Sequence, residues 1–124
     1  MDDPHMRIPG PDHPISITQQ PGLVRVRFGG EVVAESRHAL RLQEAAYPAV
    51  LYIPRADAKM AMLSRTQRSA HCPYKGEASY YSLRAGASQV ENLVWSYEQP
   101  YKAMAEIAGH LAFYPDRGAT IEIA

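Results

Sequence analysis

The chain has 124 residues, long enough to bury one core without disulfides or metal and too short for two ordinary domains. Its 13 basic residues balance 13 acidic ones, so net charge gives no support to nucleic acid, an anionic membrane or an acidic partner. The single cysteine excludes an intramolecular disulfide and a multi-thiolate zinc site, and it suits a reducing compartment.

Residues 1–14 carry four of the ten prolines and little that is apolar, so they predict an extended arm ordered only by what it lies against. Acidic residues and prolines stand where a signal peptide would need basic and apolar ones, and no apolar run reaches membrane-spanning length. The expectation is a soluble cytoplasmic protein. Residues 15–124 then form one domain, cut into short pieces by scattered prolines and glycines.

Ile15 and Ile17 begin an alternating pattern. From Leu23 to Phe28 the apolar Val24, Val26 and Phe28 alternate with Arg25 and Arg27, the period-two signature of a half-buried strand. Gly29 and Gly30 supply the positive φ angles of a tight hairpin turn, and Glu31 to Glu35 returns as the partner strand. Leu40 and Leu42 suggest a further short strand, and Tyr47 to Ile53 an extended segment closed by Pro54.

Asp57 is placed to cap a short helix with Met60 and Leu63 on one side. Ser64 to Ser69 is polar and reads as a solvated loop. Strands are predicted across Ala78 to Leu83 and, rich in the aromatics that sheets favour, across Leu93 to Tyr97. Pro100 suits the first turn of a second short helix, on which Tyr101, Met104 and Ala108 share a face, and Gly109 supplies its stop. His110 to Tyr114 and Thr120 to Ile123 close the chain as strands. The sum is a mainly β, single-domain architecture of about seven short strands and two short helices.

Reactive and shape-setting groups concentrate in HCPYKGEASYY, His71 to Tyr81. Cys72 is a candidate nucleophile, with His110 a better-placed base than the adjacent His71, whose side chain points to the opposite face of an extended chain. The competing reading is a buried thiol acting as a small apolar group. Glu106, one turn before His110 on the predicted helix, could orient that histidine or act as a base, or simply lie exposed. His13, His38, His71, His110 and Cys72 show no recognised ligand spacing, so no metal site is expected.

A third arrangement joins aromatic rings to cations. Tyr52, Tyr81, Trp95, Tyr97 and Tyr114 lie on predicted strands, while Arg55 and Lys75 stand where strands meet loops. Together with His71 they define a candidate pocket for an anionic or aromatic small molecule, the cations holding its charge. The alternative fate of the aromatics is the core.

Five motifs in order, GPDHPI, YIPRAD (Tyr52 to Asp57), HCPYKGEASYYSL (His71 to Leu83), VWSYEQP (Val94 to Pro100) and IAGHLAFYPDR (Ile107 to Arg117), make the chain resemble a bacterial family known as domain of unknown function 427. The resemblance covers nearly the whole chain and implies a compact Mss4-like β fold. Some catalogues call the family nucleotidyltransferase-like; nucleotidyl transfer normally gathers two or more carboxylates around Mg²⁺, and the chain has no D-x-D pair. No cofactor is implied. Two functional expectations follow: a small-molecule pocket, for binding or an unassigned enzyme activity, or a protein interaction module, such as a homodimer pairing through a strand edge.

Overall fold

A computed structural model that describes residues 5–124 has ten strands. They are β1 (Ile15–Gln19), β2 (Val24–Phe28), β3 (Glu31–Ser36), β4 (Leu40–Glu44), β5 (Val50–Tyr52), β6 (Leu63–Cys72), β7 (Gly76–Ala85), β8 (Ser88–Ser96), β9 (Ala112–Phe113) and β10 (Thr120–Ile123). All pairings are antiparallel, in three sheets ordered β1-β4-β5, β10-β2-β3 and β6-β7-β8-β9. The mainly β class agrees with the sequence reading; the strand count is ten rather than about seven.

The four-stranded sheet lies between two cores. Along β7 the side chains of Tyr81, Leu83 and Ala85 join Val24, Val26, Phe28 and Val33 of the β10-β2-β3 sheet. Ala78 and Tyr80, on the opposite parity, join Leu42 and Tyr52 of the β1-β4-β5 sheet together with Tyr97, Met104 and Ile107. The segment through β9 divides in the same way, Leu111 just before the strand and Phe113 within it entering the first core and Ala112 the second. Ile53 and Leu111 exchange backbone hydrogen bonds of 2.8 Å in each direction, tying the end of β5 to the start of β9.

Three local expectations need correction. The two predicted helices are lone 3-10 turns, Arg55–Asp57 with Met60–Met62, and Lys102–Ile107, the last kinked at Met104. Each is short because extended backbone resumes at Ala58 and Leu63, and Gly109 reverses the chain at φ +71°. Asp57 makes no capping bond; its carboxylate accepts a 2.6 Å hydrogen bond from the Ser36 hydroxyl, tying β3 to the segment after β5. Ser64 to Ser69, read as a loop for its polarity, is the middle of β6, an edge strand on which these residues, Thr66 excepted, are exposed and whose pairing with β7 bulges between Arg65 and Ser69.

The β2–β3 hairpin turns at Gly29 and Gly30 with φ of +59° and +79°, as the sequence predicted. Residues 1–4 of the predicted arm lie outside the described residues. Those from His5 onward lie against the turn between β6 and β7: the Arg7 amide donates to the Pro73 carbonyl at 2.7 Å, and the His13 ring stacks on Tyr74 at 4.2 Å.

Leu111 is fully buried at the junction of sheets, so Leu111→Ala should destabilise the fold by about 2–5 kcal/mol in urea unfolding with an unchanged m-value. Ile8→Ala, at a position 73% exposed, should stay within about 0.5 kcal/mol of wild type.

Candidate functional site

The tight turn CPYKG, between β6 and β7, brings the ends of both strands against the loop that follows β8. Gly76 opens β7 at φ +106°, its Cα facing the backbone of Gln99 to Tyr101, and the Tyr101 amide donates to the Lys75 carbonyl at 3.0 Å. A side chain at position 76 would meet both the strained dihedral and that neighbouring backbone. The close approach sets the geometry of everything nearby.

On the core side of this turn lies a charged cluster. Lys75, buried at 7% exposure, donates a short hydrogen bond to the Glu44 carboxylate, which His13 Nε2 contacts at 2.8 Å through its other oxygen. The same ammonium stands 3.6 Å from the Cys72 sulfur and 5.9 Å from the centre of the Tyr97 ring. Burial pushes the Glu44 carboxyl up, but the hydrogen bonds and charges of Lys75 and His13 outweigh it and hold the group below its ordinary value of 4.5. Lys75 is therefore fully engaged inside the fold. It faces Glu44 rather than a pocket.

Arg55 is likewise committed. Its guanidinium donates to the Gly109 carbonyl at 3.1 Å, the Tyr81 hydroxyl at 3.2 Å, and Ser96 and Glu98 at 3.4 Å each, while lying 5.5 Å from the centre of the Tyr81 ring. Tyr81, Tyr52 and Tyr97 are buried in the two cores, and burial pushes the Tyr52 and Tyr97 phenols well above their ordinary value. Trp95 donates to the Tyr52 hydroxyl at 3.4 Å and packs 4.4 Å from the Tyr114 ring; the Tyr114 phenol too is raised, first by burial and then by its hydrogen bond with Tyr80. The aromatics expected to line one pocket are chiefly packing. Arg55 and Lys75 belong to separate networks, each with its own carboxylate.

The expected nucleophile, base and acid are not joined by hydrogen bonds among the described residues. Cys72 is half-buried against the second core, His110 Nδ1 contacts the Ala108 carbonyl at 3.1 Å, and Glu106 is exposed on its 3-10 turn. Among the described residues no group of three or more His, Cys, Asp or Glu side chains could hold a metal ion.

The open space is elsewhere. A cleft of about 660 Å³ is bounded by His5, Arg65, His71, Gly76, Glu77, Ser79, Glu98, Gln99 and Tyr101. Of the candidate site residues named above, His71 alone reaches it, joined by Gly76, Glu77 and Ser79 of the same HCPYKGEASYY stretch. Arg65 contacts the Glu98 carboxylate at 3.2 Å and donates to the Ser79 hydroxyl at 2.9 Å, yet its side chain remains 62% exposed. A second, smaller groove of about 330 Å³ is mostly apolar, with Trp95, Phe113, Ile121 and Ile123 among its walls. Sequence reasoning missed Arg65, Glu98 and Tyr101. Arg65 was hidden by the loop reading of β6, whereas Glu98 stands within the motif VWSYEQP and could have been paired with Arg55 on charge alone.

The three antiparallel sheets around two cores define a mainly β protein of one domain. The sequence pattern of a family described as Domain of unknown function (DUF427) matches residues 16–123, and the chain belongs to that family. No curated protein matches it.

The Glu44–Lys75 pair offers a direct check. Glu44→Gln leaves a buried ammonium without its counter-charge and should lower stability at pH 7 by about 3 kcal/mol. Because the folded carboxyl titrates below 4.5, its contribution is present above that pH and is lost as pH falls through the folded pKa. The gap between wild type and variant in urea titrations should therefore close on acidification below pH 4.5.

Proposed function

We propose that the protein binds a small anionic molecule in the cleft between β6, β7 and the loop after β8. One observation carries this reading. Two guanidinium groups, Arg55 at 3.4 Å and Arg65 at 3.2 Å, share the single carboxylate of Glu98, while the other carboxylate on the cleft wall, Glu77, stands 2.7 Å from the His71 ring. Arg55 is spent on internal carbonyl and hydroxyl oxygens, whereas Arg65 shares Glu98 with it and stays exposed, with a planar fork that suits a carboxylate or phosphate. The Tyr101 ring adds a flat face beside it, and the cleft volume fits a ligand of metabolite size. The finer reading of the fold as Mss4-like, and of the protein as bacterial and cytoplasmic, rests on the family motifs and on the lone, half-buried thiol.

A homodimer is the second reading. β6 is ten residues long and no strand of the described residues pairs with its outer edge, so a second copy can add there antiparallel. Arg65, Arg68 and the bulge between Arg65 and Ser69 oppose such pairing, which ranks it below the cleft.

Inorganic phosphate, glycerol 3-phosphate and lactate should raise the melting temperature of the wild-type protein and give a titratable heat. Arg65→Ala should weaken that binding about tenfold with the melting temperature of the free protein nearly unchanged. Absence of binding by all three, together with a mass that rises with concentration, would favour the dimer.

A further inference from the structure

The cleft contains an arrangement that holding an anion does not require. His71 and Glu77 are direct cross-strand partners of β6 and β7, with Nδ1 2.7 Å from Oε1 of the carboxylate. The other ring nitrogen, Nε2, lies 3.3 Å from the Tyr101 hydroxyl, and all three residues line the cleft. An ionised carboxylate can only accept, so the hydrogen in the short contact is on His71 Nδ1, and in the neutral ring the lone pair is on Nε2. The Nε2 lone pair is thus turned to the Tyr101 hydroxyl, on the wall of the cleft that Arg65 also lines.

The other half-buried histidines are built differently. His13 also meets a carboxylate, but Glu44 is shared with Lys75 and the His13 ring is stacked on Tyr74. His110 turns Nδ1 to a backbone carbonyl of its own segment. His71 alone of these three joins a carboxylate on one nitrogen to the cleft on the other, and its side chain is 34% exposed, open enough for a ligand to reach.

Resting on the anion-binding reading above, we infer that His71 exchanges a proton with the bound anion and that Glu77 is its positioning residue. The substrate class is a small anion with an ionisable O–H on the charged group itself, such as a phosphate monoanion. As Arg65 holds the charged oxygens, the O–H bond breaks, its proton forms an N–H bond at His71 Nε2, and the electron pair stays on the ligand oxygen. The resulting imidazolium is stabilised by the Glu77 carboxylate 2.7 Å away, and the proton returns when the ligand leaves or reacts. The ligand's O–H takes the place of the Tyr101 hydroxyl at Nε2, a contact long enough at 3.3 Å to be exchanged.

The test is the ring-nitrogen spectrum of His71 in the ¹⁵N-labelled full chain near neutral pH, free and with inorganic phosphate as the probe, beside calorimetry on the same samples. The free protein should show a hydrogen on Nδ1 and none on Nε2, and saturating phosphate should move Nε2 towards the protonated position. Glu77→Ala should shift the hydrogen of the free ring to Nε2 and abolish the change that phosphate causes in the wild-type ring. A wild-type ring protonated on Nε2, or phosphate that binds without changing the ring, would discard the proton-transfer pair and leave anion binding standing. Phosphate that fails to bind at all would remove both.

Discussion

Burial of β7 on both faces is the constraint on which the rest of the molecule depends. Tyr81, Leu83 and Ala85 pack into one core while Ala78 and Tyr80 pack into the other, so this strand is the shared wall of two layers. Each large side chain taken fully out of water contributes about 1.5–3 kcal/mol before the entropy of ordering the chain is counted. A one-residue slip in its register would exchange the two sets between cores of different shape. That penalty pins β6 and β8 beside it, and with them both walls of the cleft.

The polar groups are arranged around that apolar frame by the same logic. Lys75 and Arg55 sit at the margins of the cores, where a bare cation would be expensive, and each is accompanied by a carboxylate: Glu44 for one, Glu98 for the other. These networks close β4 onto the turn after β6, and the segment after β5 onto β8. Arg65 and His71 lie beyond them on β6, where solvent reaches both faces of a side chain. Charge that is structural and charge that is available are thus separated by depth, within one stretch of sequence.

The bulges explain how an edge strand carries a site. Between Arg65 and Ser69 the β6–β7 ladder shifts, and between Tyr81 and Leu83 the β7–β8 ladder shifts as well, with Asn92 at φ +55° and its side chain accepting a 2.6 Å bond from Thr66. Such irregularities deepen the local twist and re-aim side chains. Here they bend β6 beside the loop after β8, leaving Arg65 and Glu98 in contact across the gap. The N-terminal arm completes the rim, Arg7 on Pro73 and His13 on Tyr74 bringing His5 to the cleft.

The period-two run of β2 and the paired glycines at 29 and 30 were enough, by themselves, to mark a β-hairpin, because alternation and positive φ are local properties; Ile123 of β10, alternating in the same way, is nevertheless exposed. The concentration of chemistry in His71 to Tyr81 was equally legible, and His71 does reach the cleft. What sequence could not determine was depth. Tyr52, Tyr81, Tyr97, Lys75 and Arg55 have the composition of a pocket, but which face of a strand is covered depends on which sheets stack on it, and that is decided by residues far along the chain. The same holds for the helices, where Asp57 met Ser36 from β3 instead of the backbone ahead of it. It holds for β6, a polar segment made into a strand by the ladder of β7 beside it. Local pattern sets what each segment can be; only long-range contact decides which groups are sealed inside and which are left facing solvent.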